Sequence, residues 1–536
     1  MGQRKSFDLS EAGRRLALWA NWVVRIFGGA IFLFLTWYSM RYTQYINPGW
    51  NEKPVNVPDS MLQNIAVLLA AVLLFCGLLL AEKRLQPKMQ KTVSYSALTL
   101  VILWVGIWGF WWISSAERIP EGDQAFVYGG ASYFLEGNFA FLDKGCYCSI
   151  YPHQLALIAL TELLFLLVGT YNYFAFQCIC VLLAMAIVYI GFQIVRCITD
   201  RMSAMLFYCI SMLCCVPLVL YTSWVYGDIP SIFFTMLAAW MFLLYERKGH
   251  WGYLAAVAGA LTFAMLVRKN SLLVVIAFCI IAAVRVVLKK DKKLFAAAVL
   301  TAVLPGLLYA GVYKMYEIRS GFVHEKGLPV STWVAMGMQE TDGKFGWYNN
   351  YGKELLHNAE GDYVVVDAIA KQEIKDRIRL FLKNPSYAWN FFREKILSQW
   401  NMPLYESMFF STKYQEGHIP IANSFVMKIS TLYFTDILRI CDRLQFVLYF
   451  GMLLYFVFAV KPESNLSEHL LAVAVIGGFL FSIIWEAKAR YVLPYYITMF
   501  PLAAVGYWRM LQQAALLFRK EDKETRDNIV DFHRAA

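Results

Sequence analysis

Charge is scarce in this chain. Asp, Glu, Lys and Arg make up 16% of its 536 residues, against about 25% in ordinary soluble proteins. So little charge excludes a fold with a solvated surface on every side. Other signals are missing too. No basic groove motif accompanies the net charge of +11, so nucleic acid is not an expected partner. No short apolar core with a small-residue cleavage site follows Arg4, Lys5, Arg14 and Arg15, so the first apolar segment reads as a retained helix. No solenoid period is visible. No nucleotide-cradling glycine loop is present, since "YGGAS" does not follow a strand. Most of the eleven Cys lie inside apolar runs, where Cys acts as a small hydrophobe. Cys146 and Cys148 lie outside the runs near His153, but the second half of a zinc pattern is absent. No metal ligand is assigned, and a divalent metal is left as an open cofactor.

What is present in abundance is apolar sequence. Hydrophobic residues make up 59% of the chain, with 39 Phe, 32 Tyr and 17 Trp. Apolar runs at 17–39, 62–81, 94–114, 173–195, 203–225, 229–245, 252–267, 271–288, 294–315, 443–460, 469–485 and 491–510 predict an all-α polytopic membrane protein with about twelve spans. Lys and Arg set the expected orientation. With the N-terminus inside, the inner loops collect Lys83, Arg84, Lys88, Lys91, Arg196, Arg201, Arg247, Lys248, Arg285 and Lys289, and the tail beginning at Arg519 and Lys520 also falls inside. This requires that the run 155–169 does not cross, so it is read as a membrane-dipping or in-plane helix with both ends outside. The expected division is a two-helix extension (1–92), a membrane core (93–315) with an outer loop at 115–154, an extracytoplasmic region of mixed structure (316–440), C-terminal transmembrane helices (441–512) and a cytoplasmic tail (513–536). Within the extracytoplasmic region, "PSYAWNFFREKILSQW" puts Trp389, Phe392, Ile396 and Trp400 near one helical face, suited to the bilayer surface or to packing on the membrane domain.

Charged residues at the ends of apolar runs are costly unless they line a cavity or an interface. Asp228 immediately precedes a span. Arg268 and Lys269 sit between two runs with almost no loop, as do Glu486, Lys488 and Arg490. On the expected topology they share the outer face with Glu121, Asp123, Gln124, His153 and Gln154. Bland roles compete: snorkelling for Arg268 and Lys269, a structural ion pair for Glu486 and Arg490, and a helix cap for Asp228. The functional reading is a composite site, in which basic groups hold a lipid phosphate and a carboxylate takes a proton from an attacking hydroxyl.

This order of features resembles the GT-C superfamily of membrane glycosyltransferases, most closely the branch holding protein O-mannosyltransferases and the aminoarabinose transferase of lipid A. Asp123 in "EGDQAFVYGGASYFLEGNF" matches the catalytic Asp of the first large outer loop. Asp228 in "VYGDIPSIFF" matches a second acid ahead of a later span, and Lys269 in "LVRKNSL" matches a basic residue one hairpin further on, with Arg268 beside it. "EAKARYVLPYY" matches a late motif of bacterial members. The chain departs from the pattern in three places. Two extra spans precede the loop, Gln124 follows Asp123 where the mannosyltransferases have Glu, and "YPHQ" lacks the phosphate-binding lysine of the aminoarabinose branch, so that His153 or Gln154 serves in its place or the role moves elsewhere.

The resemblance implies an inverting transfer from a polyprenyl-phosphate sugar to a glycopolymer, lipid or protein acceptor, at the outer face of what is expected to be a bacterial plasma membrane. Asp123 would be the general base and Asp228 would orient acceptor or sugar. Arg268, Lys269 and Arg490 would neutralise the leaving phosphate, and Glu486 would position Lys488 or Arg490. A lipid-linked glycan polymerase or ligase remains an alternative, as does a transporter. The polymerase would rely on outer Arg and His, and the transporter would need mid-span charges, of which Arg25 is the clearest here, and related halves.

Overall fold

The computed structural model describes residues 9–48, 52–116, 119–323, 326–412 and 424–535. Arg4 and Lys5 of the expected inner terminus lie outside these residues, as does 413–423 of the expected extracytoplasmic region. The described chain is overwhelmingly helical, with only two short antiparallel hairpins, Tyr42–Ile46 with Pro54–Pro58 and Glu340–Thr341 with Lys344–Phe345. The protein is an all-α multi-pass membrane protein.

Nine helices among the described residues are long and apolar enough to cross a bilayer, and counting each of two bent pairs as one span gives eleven. The expected twelve therefore does not emerge from length and composition. The run expected at 203–225 is a pair, Met202–Leu213 and Val216–Ser223, bent by 57°. A proline at 217 helps restart the helix after the break. The Trp251–Val267 helix has only 17 residues. The last helix, Leu493–Ala535, carries Pro501 and several Tyr in the stretch expected to span.

Helix Leu155–Val168 is bent by 105° from the short helices before it. Gln154, at its head, donates to the Tyr226 hydroxyl at 2.5 Å, and just past its end the Tyr171 N–H donates to Ser132 at 2.9 Å. Ser132 lies on the loop helix Asp123–Leu135, so both ends of 155–168 return to elements at one end of the bundle. In its middle, Glu162 accepts from the Tyr316 hydroxyl at 2.8 Å and pairs with Arg319 at 2.6 Å. A buried carboxylate in an apolar helix requires such partners.

At the other end of the bundle the basic loops are tied together. Arg201 pairs with Glu82 at 3.6 Å, Arg285 pairs with Glu246, and Tyr245 donates to Asp291. Gly13 packs against Leu288 there, so the first helix starts at this end.

Helix Pro385–Trp400 packs on the membrane domain. Trp400 is fully buried, donates to Ser482 at 3.1 Å and lies 5.4 Å from the Phe479 ring; Ile396 is buried as well. Trp389 is the exposed member of the expected face. Lys395, fully buried on the same helix, donates to the carbonyls of Gly337 at 2.5 Å and Ile483 at 3.0 Å.

Candidate active site

Three breaks in the helical bundle meet at the end that holds the loop helix. In the first, Gly122, with φ +57°, turns the chain so that Asp123 begins helix Asp123–Leu135. A left-handed backbone of this kind favours glycine. In the second, Trp224–Gly227 leads into helix Asp228–Lys248. The third follows span Leu470–Ile484 and runs from Trp485 to Tyr491. A fourth segment, the turn at Val267–Lys269, is pressed against the second: a Cβ at Gly227 would stand 1.8 Å from the Val267 carbonyl oxygen. Only glycine permits that approach, which puts Arg268 next to Asp228.

The charged groups form one network. Arg268 pairs directly with Asp228. Arg490 spans both acids, with one amino group 3.6 Å from Asp123 Oδ2 and the other 4.0 Å from Asp228 Oδ2. Trp224 Nε1 donates to Asp228 Oδ2 at 3.1 Å, and the Tyr147 hydroxyl donates to Asp123 Oδ1 at 3.4 Å. Aromatic faces enclose the Arg490 guanidinium, with Trp224, Tyr226 and Phe410 centred at 5.0, 5.2 and 5.5 Å. Such faces stabilise a desolvated cation.

The two acids differ in one decisive respect. The Asp228 side chain is 0% exposed, whereas that of Asp123 is 44% exposed. Asp228 is enclosed by two guanidinium groups and an indole. Asp123 has longer contacts and one open side. The network sets two arginines against two aspartates, and Arg490 is the cation shared between the sealed acid and the open one.

The remaining expected residues fall around this network. Gln124 is buried, and its Oε1 accepts from the Val225 N–H at 2.7 Å, fastening the loop helix to the Trp224–Gly227 segment. A glutamate here would add a third carboxylate beside Asp123 and Asp228. Gln154 is engaged by Tyr226, and His153 Nε2 lies 3.2 Å from the Gln154 amide. Glu121 is half-buried two residues ahead of Asp123. Glu486 is buried, with the Tyr491 hydroxyl 3.5 Å from its Oε1, and burial pushes its carboxyl up to about 7. Lys488 pairs with Glu52. Lys269, unlike Arg268, is exposed. The backbone at Arg268 is extended (φ −157°) and turns that side chain inward, while Lys269 starts the short 3-10 turn that follows.

Two acids of this neighbourhood had no signal in the sequence. Glu52 arrives from the hairpin between the first two membrane helices. Glu406 accepts from the Ala489 N–H at 2.8 Å, is fully buried and has its carboxyl pushed up to about 7 by that burial. Both are single glutamates in polar stretches, which in sequence look like solvated residues. Cys148 is buried and Cys146 half-buried, and among the described residues no group of three His, Cys, Asp or Glu is arranged to hold a metal ion.

Residues 152–309 match the family model described as dolichyl-phosphate-mannose-protein mannosyltransferase. That stretch contains Asp228, Arg268 and the Gln154–Tyr226 pair, while Asp123 and Arg490 flank it. No match was found among curated proteins or among solved structures. Over residues 152–309, less than a third of the chain, the protein is thus similar to the dolichyl-phosphate-mannose-protein mannosyltransferases.

Proposed function

We propose that this membrane protein is a glycosyltransferase that moves a sugar from a polyprenyl phosphate to an acceptor hydroxyl at the outer face of the membrane, with inversion and with Asp123 as general base. The observation that carries the reading is the contrast between the two acids on Arg490: Asp228 sealed between two arginines, Asp123 open to an incoming hydroxyl. Asp123 takes the acceptor proton as the acceptor oxygen attacks the anomeric carbon. The bond from that carbon to the phosphate oxygen breaks on the opposite face, and polyprenyl phosphate leaves with the electron pair. Arg268 and Arg490 supply the positive charge that meets the growing phosphate charge. Tyr147 fixes the Asp123 carboxylate.

The missing phosphate-binding lysine has a physical counterpart here. Gln154 is committed to Tyr226 and His153 to Gln154, so the role moves to the two buried arginines. A small cavity of about 20 Å³, lined by Ser231, Thr235, Arg268, Val274, Leu471 and Tyr491, adjoins Arg268. The basic loops at the far end of the bundle favour a cytoplasmic position for that end and for the chain start. The outer region 316–440 would shape the acceptor site, and the cell-envelope setting expected from the sequence, a bacterial plasma membrane, fits this arrangement.

The test is release of free polyprenyl phosphate from a panel of polyprenyl-phosphate sugars by purified protein in lipid nanodiscs, with simple sugar and peptide acceptors added. Wild-type release that is lost in Asp123→Asn supports the reading. Equal release from both proteins removes Asp123 as the base.

A further inference from the structure

The segment between the first two membrane helices is more than a connector. Its hairpin, Tyr42–Ile46 with Pro54–Pro58, is fastened to the core at several points. Asn401 donates through Nδ2 to the Tyr42 carbonyl at 2.5 Å, and the Gln44 N–H donates to the Asn401 carbonyl at 3.0 Å. The Tyr45 ring lies 5.6 Å from that of Phe434. The Lys53 ammonium reaches the Gly343 turn. So held, the hairpin brings the Glu52 carboxylate onto the Lys488 ammonium.

Lys488 is placed to receive an anion. It lies two residues from Arg490 in the same break and is nearly buried, with a side chain 10% exposed. The rings of Trp347 and Tyr348 are centred 5.7 and 5.8 Å from Nζ. Burial works against its charge, but Glu52, Glu406 and Glu486 together outweigh it and hold the ammonium above the ordinary lysine range. Glu406 is fixed by the Ala489 N–H, and Glu486 belongs to the same break, so both are built into the site wall. Glu52 is different: it comes from another module, is 27% exposed, and makes the ion pair with Lys488.

We propose that Lys488, framed by Trp347 and Tyr348, is an oxyanion subsite of the candidate active site. Glu52 fills this subsite from the hairpin, and a phosphate or carboxylate group of a substrate displaces it. A carboxylate and a phosphate oxygen offer an ammonium the same charge-assisted hydrogen bond, so the exchange keeps Lys488 paired throughout. The oxyanion can come from the lipid donor's phosphate or from an acidic group on the acceptor. The first of these sources rests on the function proposed above.

Binding to full-length protein in nanodiscs separates the outcomes. The probes are polyprenyl monophosphate in the disc lipid, and glycerol 3-phosphate and methyl glucuronide in solution. If Glu52 occupies Lys488 about nine-tenths of the time, removing it raises apparent affinity about tenfold. Glu52→Gln should therefore bind at least one probe about tenfold more tightly than wild type. Lys488→Gln should weaken that binding by a similar factor, and in the double variant the Glu52→Gln gain should vanish. A purely structural ion pair predicts the opposite sign: weaker binding and a lower unfolding temperature in Glu52→Gln. Unchanged or weakened binding in Glu52→Gln overturns the proposal, as does the absence of binding to every probe by both proteins. Tightening for polyprenyl phosphate assigns the subsite to the donor, and tightening for a soluble acid assigns it to the acceptor. Tightening for a soluble acid with no polyprenyl phosphate binding at all keeps the subsite and sinks the lipid-donor reading. Polyprenyl phosphate binding that Arg490→Gln abolishes and Glu52→Gln leaves unchanged does the reverse.

Discussion

The contrast between Asp123 and Asp228 makes a prediction in which activity and stability part ways. Asp123→Asn removes the proposed base while keeping shape and hydrogen-bonding capacity. Loss of a general base costs about 10²–10⁴ in rate, equivalent to about 3–5 kcal/mol of barrier. Its effect on folding should be small. The side chain is 44% exposed and its contacts to Arg490 and Tyr147 are long, at 3.6 and 3.4 Å. An ion pair that open to solvent contributes about 0–1 kcal/mol. Asp228→Asn is the mirror case. That side chain is wholly buried between Arg268 and Arg490, and the substitution leaves the buried Arg268 guanidinium without its counter-charge and Arg490 with Asp123 alone, at a cost of about 3–5 kcal/mol. Release of polyprenyl phosphate under single-turnover conditions measures the first quantity. Thermal unfolding followed with a thiol-reactive dye measures the second, because Cys180, Cys209 and Cys215 are buried and react only on opening. An Asp123→Asn protein that keeps more than about a tenth of the wild-type rate, or that loses as much stability as Asp228→Asn, refutes the reasoning.

Three further outcomes are expected. Burial raises the Glu486 carboxyl to about 7, so the folded chain holds a proton that the unfolded chain has released. The associated stability is complete below about pH 4.5 and is lost as pH rises through 7, by about 3 kcal/mol; Glu486→Gln should flatten this slope in unfolding scans between pH 5 and 7.5. Gly227→Ala would drive a Cβ into the Val267 carbonyl oxygen at 1.8 Å, so it should separate Asp228 from Arg268 and abolish activity even where protein still accumulates in the membrane. Lys395→Met should lower the unfolding temperature, because two buried carbonyls that now accept from Lys395 lose their donor, at about 1–3 kcal/mol each.

The sequence exposed the site's charged frame because the membrane makes charge conspicuous. Asp228, Arg268 and Arg490 stand at breaks between apolar runs where a loop of a few small residues would suffice, and those breaks do meet. Neighbouring positions were harder to separate. Arg268 and Lys269 have the same sign and are adjacent, and only the extended backbone at Arg268 turns one inward and leaves the other exposed. The span count slipped where polarity dilutes a helix, as in the tyrosine-rich start of the last one, or where a proline restarts a bent one. For Glu52 and Glu406 no local pattern existed. One is placed by a hairpin docked on residues more than 300 positions away, such as Asn401. The other sits in a left-handed pair, Tyr405 and Glu406 with φ +47° and +63°. The Tyr405 carbonyl accepts from the Tyr221 hydroxyl at 2.5 Å, and its own hydroxyl accepts from Gln445 at 2.7 Å, so distant packing holds the pair in place.

The meeting of Asp123, Asp228, Arg268 and Arg490 also fixes when during biosynthesis the site can exist. Chains emerge N-terminus first, so both aspartates and Arg268 enter the membrane long before Arg490, which arrives at the start of the last long helix. Until then Asp228 has a single arginine and the nascent protein lacks the guanidinium that joins its two acids. A chain truncated before 466 would be inserted and inert. Supplying 466–535 as a separate polypeptide offers a way to switch the assembled protein on by complementation.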